Sequence, residues 1–299
     1  MSQVKDRFLA SGASRPILLR VGARKLLTRG VLHLVLIGIL VVMVFPFYWL
    51  LATSLKASGQ LFLYPPRIIP NPLDFRNYSD LFSLVPMGTF LFNSFKIASF
   101  LVIGVCLSSS LAAFAFARMR FRGSKALFAL LLATLMIPGQ VTIIPTFLIM
   151  HVLGLIDNDA ALIVPGWFGT PFAVFLLRQY YRTIPSDLMD SAKIDGSGFL
   201  RIYWSIFLPL GMPALATVAV FTFLWSWNGL FGPLIFLNSV RNMTVTLGLT
   251  FLFGRNGSMG VGWGIIMAGA LLGVVPMVVL FLFAQKYFVQ GLAKTGLKG

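Results

Sequence analysis

Long apolar runs alternate with short polar segments along the whole chain. The first run, 30–55, contains no charged residue, and about 20 apolar residues at 1.5 Å each cross the hydrocarbon core of a bilayer. Five later runs are long enough for the same role. The pattern therefore predicts an all-α membrane protein with six transmembrane helices, at 30–55, 97–117, 126–150, 160–177, 211–237 and 264–284.

Three of these spans carry features that bear on packing. Pro138 is predicted to kink the third span, and Pro165, Gly169 and Pro171 predict a discontinuous fourth span. Small residues recur every four positions in the second span, and such rows let membrane helices approach closely. This face is predicted to pack against protein, through the rows Ser109, Ala113, Ala117 and Gly104, Ser108, Ala112.

Composition narrows the class of protein. Only 11% of the 299 residues are charged, against about 25% in soluble domains, and the mean hydropathy is +0.89. The net charge of +16 does not indicate nucleic-acid binding, because the basic residues lie between apolar runs. The single Cys106 excludes a disulfide framework, and His33 and His151 stand alone, so we predict no metal site and no catalytic residue.

The distribution of charge predicts the orientation of the spans. If the six spans alternate, one face collects 18 Lys and Arg against 4 Asp, and the other collects 5 against 4. Basic residues concentrate in cytoplasmic loops, so both termini are predicted to be cytoplasmic. The resulting organisation is a basic arm at 1–29, a six-span domain at 30–286 and a cytoplasmic tail at 287–299.

The polar segment 183–209, between the fourth and fifth spans, interrupts this apolar pattern. It is predicted to lie on the cytoplasmic side and holds three of the eight acidic residues. Ser186 is a candidate N-cap, Gly196 can adopt the left-handed conformation that ends a helix, and Ser197 can cap a second helix that stops near Pro209. The segment therefore predicts two short helices joined by a glycine turn.

The spacing within this segment resembles a known motif. Asp190-Ser191-Ala192 is followed after three residues by Gly196, and nine residues later by Ile206-Phe207-Leu208-Pro209. This is similar to the "EAA" loop of binding-protein-dependent ATP-binding-cassette importer permeases, with Asp190 in place of Glu and Ser191 in place of Ala. The resemblance implies a coupling helix that docks on a cytoplasmic ATPase, through Asp187, Asp190, Ser191, Ala192, Asp195, Gly196, Ile206, Leu208 and Pro209.

Weaker matches extend the resemblance to the second permease of maltose-type sugar importers. They include Pro46-Phe47-Tyr48-Trp49, the run 112–118, Trp227-Asn228 and the run 285–292. The resemblance implies half of a translocation pore in a bacterial or archaeal cytoplasmic membrane. The implied partners are a second permease, two ATPase copies and an extracytoplasmic sugar-binding protein. ATP and Mg²⁺ would bind to the ATPase, since this chain has no phosphate-loop motif and needs no cofactor of its own.

Candidate contacts with the cargo and the binding protein are less specific. Gln140, Trp227 and Asn228 are predicted to line the pathway, because aromatic faces pack on sugar rings and amides bond hydroxyl groups. Packing or membrane-interface roles for the indoles remain open. The glycine-bearing loop from Arg241 to Trp263 is predicted to reach the binding protein through Arg241, Arg255 and Gly257, with a flexible connector as the alternative.

Two other function classes fit the sequence less well than the importer. An ion-gradient-driven secondary transporter or channel needs ionisable groups at the bilayer midplane or matching broken helices in two halves. The predicted spans contain no Asp or Glu, and no half-to-half repeat is visible. An intramembrane enzyme needs a nucleophile with a base, or a metal cluster, and the spans show no such set. The importer permease is therefore the prediction.

Overall fold

The computed structural model describes the backbone of residues 15–254 and 262–296, and the side chains of 29–254 and 262–285. Within these ranges the chain is helical, with one isolated bridge between Lys56 and Leu73. The helices are α1 Arg15–Ser54, α2 Arg76–Leu84, α3 Met87–Arg118, α4 Ser124–Thr134, α5 Gly139–Val152, α6 Ala160–Ile163, α7 Pro171–Thr183, α8 Asp187–Ile194, α9 Phe199–Ile202, α10 Leu208–Leu210, α11 Met212–Asn228, α12 Phe231–Phe236, α13 Val245–Gly254 and α14 Trp263–Gly296.

Length and composition identify the helices that can cross a membrane. Within the described residues, four segments qualify alone: Arg29–Ser54, Met87–Arg118, Ala160–Thr183 and Trp263–Gln285. Two bent pairs, α4 with α5 and the 199–210 segment with α11, bring the number to six if each pair forms one span. The all-helical membrane class is confirmed.

Several helices extend beyond the predicted spans. The backbone of α1 is helical from Arg15, so half of the predicted basic arm is part of the first helix, and α14 continues to Gly296. Pro16 lies in the first turn of α1, where a proline is tolerated. Helix α3 starts at Met87, directly after Pro86 and ten residues before the predicted span. It contains no proline, so the helix continues unbroken to Arg118.

The third and fourth spans are interrupted where proline and glycine predict it. Helices α4 and α5 meet at 100° around Pro138, whose backbone is extended. Between α6 and α7 the chain forms a 3₁₀ turn, Val164–Phe168, and then Gly169 adopts φ +84°. Only glycine adopts this conformation readily, so the predicted discontinuity is confirmed.

The interruption packs closely against the small-residue face of α3. A Cβ atom at Gly104 would lie 2.0 Å from Cδ1 of Trp167, and the Trp167 indole N–H donates to the Phe100 carbonyl at 3.0 Å. Ser109 is fully buried and accepts a hydrogen bond from the backbone N–H of Thr170 at 3.1 Å. The predicted protein-facing side of the second span is thus confirmed, and Ser109 satisfies a donor freed by the broken helix.

The segment after Arg241 is more ordered than the predicted glycine-bearing loop. It starts with a 3₁₀ turn, Val240–Asn242, and continues as helix α13. A Cβ atom at Gly248 would lie 2.3 Å from the Phe90 ring, so α13 packs directly on α3. Gly248 therefore allows close packing, and 245–254 forms a helix where the sequence predicted a loop. The docking role of this region stays a prediction.

Candidate functional site

Helices α8 and α9 form the predicted pair, joined at Gly196. Gly196 adopts φ +76°. The backbone N–H of Gly196 donates to Lys193 O, and the N–H of Ser197 donates to Ala192 O, each at 2.9 Å. This double closure is the Schellman arrangement, which satisfies the last carbonyls of a helix and requires a left-handed residue. The predicted glycine turn is confirmed.

The predicted starts of the two helices are wrong in two details. Ser186 has helical dihedral angles and its side chain does not cap α8. Gly198, not Ser197, precedes α9. The predicted stop near Pro209 agrees with the structure. A π-helical turn at Tyr203–Phe207 leads into α10, where Pro209 lies in the first turn, and the helical path ends at Leu210, before Gly211.

The surface of the helix pair is exposed and mixed in character. Ile194 and Leu200 are 87% and 69% exposed, and Phe199 is also exposed. Asp190 forms a partly exposed ion pair with Lys193 at 3.5 Å. Asp187, Ser191, Asp195 and Gly196 share the exposed surface, as does Pro209. Apolar side chains this exposed, surrounded by carboxylates, are typical of a surface that contacts another protein.

The opposite side of the helix pair packs into the hydrophobic core. Met189 and Ile202 are buried, and Ala192, Ile206 and Leu208 pack half-buried against the same cluster. The Tyr203 hydroxyl lies 2.6 Å from Ser110 Oγ on α3. Four buried rings surround this contact, with centroids 4.9 to 5.7 Å apart: Phe114, Tyr181, Tyr203 and Phe207.

Arg118, at the end of α3, links the pair to the bundle. Its guanidinium donates to the carbonyls of Tyr181, at 2.7 Å, and Ile184, and lies 5.1 Å from the centre of the Phe207 ring. These carbonyls lie at the C-terminal end of α7, where helix carbonyls lack partners and a cation is favoured. We did not predict this role, because in the sequence Arg118 is one of several basic residues flanking a span.

The junction between the pair and α11 is a tight bend. The 199–210 segment and α11 meet at 75° at Gly211. A Cβ atom at Gly211 would lie 2.5 Å from Cε1 of Tyr181 and 2.8 Å from the backbone oxygen of Phe207. The bend therefore fits only because residue 211 has no side chain.

The predicted pathway residues lie in different surroundings. The Trp227 side chain is buried, donates to the Gly273 carbonyl at 3.0 Å and stacks on Phe223. Asn228 is exposed, and its amide donates to the Leu224 carbonyl at 2.9 Å. Gln140 is exposed at the start of α5. The packing role of the Trp227 indole is thus visible, and the pathway role of all three stays a prediction.

Polar contacts fasten Arg241 and its neighbours to α3. The Asn93 amide donates to the carbonyls of Arg241 and Met243, at 2.8 and 3.1 Å, and Ser94 Oγ accepts from the N–H of Val245 at 2.8 Å. Arg241 itself is exposed. The other two residues predicted to dock the binding protein, Arg255 and Gly257, lie outside the described residues.

Asp157 links two loops at the same end of the bundle. Its carboxylate accepts hydrogen bonds from the N–H groups of Asn238 and Ser239, each at 2.8 Å, and from the Ser239 hydroxyl. The Asn242 amide donates to the Asp157 carbonyl at 2.6 Å. Nearby, Lys96 of α3 forms an ion pair with Asp159. The loop after α5 is thereby tied to the 238–242 segment.

We expect Asp157→Asn to destabilise the protein near neutral pH, because it removes the charge while asparagine tolerates the φ of +60° at this position. The hydrogen bonds from Ser239, followed by the Asn238 N–H, hold the pKa of Asp157 well below its usual value of about 3.9. A depressed pKa stabilises the fold above the unfolded-state pKa, and this contribution is lost as pH falls through the folded-state pKa. Thermal unfolding in detergent should show a lower Tm for the variant at pH 7 and a shrinking difference below about pH 4. The exposed Asp80 supplies the control: an equal loss in Asp80→Asn would contradict this role.

Comparison with known proteins places these features in a family. Residues 104–294 match the family model of the binding-protein-dependent transport system inner membrane component. The chain is similar to the melibiose/raffinose/stachyose import permease protein MelC of Bacillus subtilis, with 34% identity over 85% of this chain and 91% of that protein. It is also similar to the sn-glycerol-3-phosphate transport system permease protein UgpE of Yersinia enterocolitica, with 32% identity over 87% of this chain and 93% of that one.

A solved structure supports the fold independently. A chain of a bacterial ABC transporter involved in the import of the acidic polysaccharide alginate superposes with a TM-score of 0.77, over 87% of this chain and 96% of that one. The sequences are 23% identical, so this likeness concerns the arrangement of the helices. The matched family region includes α8, α9 and the bend at Gly211.

Proposed function

Since the chain belongs to the family of binding-protein-dependent transport system inner membrane components, we propose that it is one of two permease subunits of an ATP-driven sugar importer. It crosses the cytoplasmic membrane six times, with both bent pairs counted as spans and with both termini inside. It forms half of the translocation pore. The second permease, two ATPase copies and an extracytoplasmic binding protein complete the assembly, and ATP and Mg²⁺ bind to the ATPase.

The observation that carries this proposal is the two-sided construction of α8 and α9. One side exposes Ile194, Leu200 and Asp195, and the other side packs among buried aromatic rings. Such an element transmits a displacement of its outer surface to α3, α7 and α11, because close-packed interiors shift between discrete arrangements and do not deform continuously. An ATPase gripping this surface would therefore act on the pore-forming helices.

The cargo class follows from the relatives. MelC is named for the import of melibiose, raffinose and stachyose, and UgpE for the transport of sn-glycerol-3-phosphate. We propose a carbohydrate or a related polyol derivative as the cargo, with Asn228 and Gln140 as the exposed polar side chains along the pathway. The binding protein would meet the opposite end of the bundle, where Arg241 lies and where Asp157 is hydrogen-bonded to the 238–242 segment.

Co-purification tests the proposed assembly. We expect an affinity tag on this chain, expressed in its own host, to recover an ATP-hydrolysing partner from detergent-solubilised membranes. The chain purified alone should neither hydrolyse ATP nor support uptake into vesicles. Recovery of the chain without any nucleotide-binding subunit, under conditions that keep a known importer intact, would overturn the proposal.

Gly196 tests the coupling surface directly. Open space surrounds Gly196, so a substitution acts through its left-handed backbone alone, at a cost of about 1 to 2 kcal/mol. We expect Gly196→Val to lower the rate of uptake about ten-fold. Gly196→Asn should retain most of it, because asparagine tolerates this conformation. Equal rates in both variants, measured with radiolabelled cargo in proteoliposomes, would remove the turn from the coupling path.

A further inference from the structure

The short turn between α3 and α4 carries cations that the fold itself does not use. Arg120, Arg122 and Lys125 are all exposed. Among the described residues, the ion pairs are Lys96 with Asp159 and Lys193 with Asp190, so these three side chains have no acidic partner. Neighbouring basic residues differ in this respect. Arg118 bonds backbone carbonyls, and Arg178 donates to the Phe116 carbonyl and lies 3.9 Å from the centre of the Phe128 ring.

The turn holds these cations in a fixed place. Gly123 adopts φ +82°, and the Ser124 N–H donates to the Phe121 carbonyl at 3.3 Å. The Phe121 ring packs against Phe116 of α3, with centroids 5.9 Å apart. A turn closed by a backbone hydrogen bond and anchored by an aromatic contact presents Arg122 and Lys125 from a backbone that is already ordered before binding.

The turn also lies at the edge of the bundle. None of the eleven residues of α4 is buried, and Leu127 and Leu130 are 50% and 64% exposed. Phe128 and Leu131 pack half-buried toward the bundle, whereas Leu127 and Leu130 leave an apolar side of α4 open. In the orientation proposed above, the cations at the start of α4 border this open side at the depth of the lipid headgroups. Basic side chains next to a membrane helix attract anionic lipids at this position.

We propose that Arg122 and Lys125, assisted by Arg120, bind the phosphate of an anionic phospholipid in the cytoplasmic leaflet. The proposal rests on the orientation given above and adds a lipid ligand to it. A lipid suits the site better than an acidic protein surface, because the cations border an exposed apolar helix. The lipid would hold α4 at the membrane edge beside α7, against which α4 packs.

Lipid binding by the assembly purified through a tag on this chain tests the site. Soluble short-chain phosphatidylglycerol is the probe, short-chain phosphatidylcholine the neutral comparison, and inorganic phosphate the lipid-free anion. Each cation near an anionic surface contributes about five-fold to binding. We therefore expect Arg122→Gln/Lys125→Gln to weaken phosphatidylglycerol binding, measured by native mass spectrometry, about 25-fold.

A matched pair of substitutions controls for charge. Arg67→Gln/Arg76→Gln removes two exposed cations from the region that follows the C-terminal end of α1, on the proposed outer side of the membrane. This double variant should change phosphatidylglycerol binding less than two-fold. Equal weakening in both double variants would overturn the proposal, and so would equal binding of the two lipids by the parent protein. Displacement of the lipid by millimolar phosphate would assign the site to a soluble anion. Unchanged lipid binding with loss of the co-purified ATPase would assign the turn to a protein contact. None of these results depends on whether the chain carries sugar.

Discussion

Gly211→Val is expected to abolish uptake. The new Cβ atom would lie 2.5 Å from the Tyr181 ring and 2.8 Å from the Phe207 carbonyl oxygen, both far inside ordinary contact distances. Neither group has room to move, because Tyr181 and Phe207 are fully buried and their rings pack edge to face with centroids 5.7 Å apart. Overpacking of this kind costs about 1 to 3 kcal/mol or more, and here it acts on the bend that joins the coupling helices to α11.

The measurement combines uptake with ATP hydrolysis in proteoliposomes. We expect uptake by the Gly211→Val assembly to fall below about 1% of the parent rate, since 3 kcal/mol corresponds to more than a hundred-fold. Gly38→Val is the matched control, because Gly38 lies in α1 with open space around it. A Gly211→Val assembly that transports as fast as the Gly38→Val assembly would show that the bend is not required.

The predicted elements that the structure reproduces are those with a local cause. Gly196 ends α8 because a helix that closes with the Schellman pattern needs a left-handed residue, and the sequence offers glycine at that position. Pro138 and Gly169 interrupt their spans for similarly local reasons. The rows of small residues on α3 were informative because close helix packing in lipid depends on side-chain size, which is read directly from the sequence.

The features that sequence reasoning missed depend on contacts between distant parts of the chain. Arg118 donates to carbonyls 63 and 66 residues away, and Asp157 accepts hydrogen bonds from residues more than 80 positions away. Contacts between residues so far apart in the sequence leave no local sequence pattern. The same limit applied to Ser186, whose residue type suits an N-cap but whose backbone is already helical. Residue type alone did not determine which conformation the packing would select.

Hydropathy also does not show the direction in which the backbone of a span runs. The run 126–150 is predominantly apolar on both sides of Pro138, yet its two helices meet at 100°, because hydropathy indicates depth in a membrane and not the course of the backbone. Likewise the close approach of Gly248 in α13 to Phe90 in α3 has no counterpart in the hydropathy pattern. In an environment that is apolar on all sides, the buried face of a helix carries no hydrophobic contrast, so hydropathy does not show which helix it packs against.

Arg118→Leu is expected to uncouple the ATPase from transport. The substitution removes two hydrogen bonds from a charged donor to the carbonyls of Tyr181 and Ile184, each contributing about 1.5 to 3 kcal/mol. It also leaves these carbonyls unpaired at the end of α7. The surface of α8 is untouched, so the ATPase should still co-purify and hydrolyse ATP, while uptake falls about 100-fold.

Arg118→Lys separates charge from geometry. A lysine keeps the positive charge but lacks the planar fork that reaches two carbonyls together, so we expect uptake between the parent and Arg118→Leu. Arg76→Leu, an exposed arginine in α2, should transport at the parent rate. If Arg118→Leu retained uptake within two-fold of Arg76→Leu, force would have to reach the bundle by another route. Loss of the ATPase from the Arg118→Leu complex would instead place Arg118 in the docking surface. The combination of a retained ATPase and lost uptake is specific to a residue that holds α7 and the coupling helices in register.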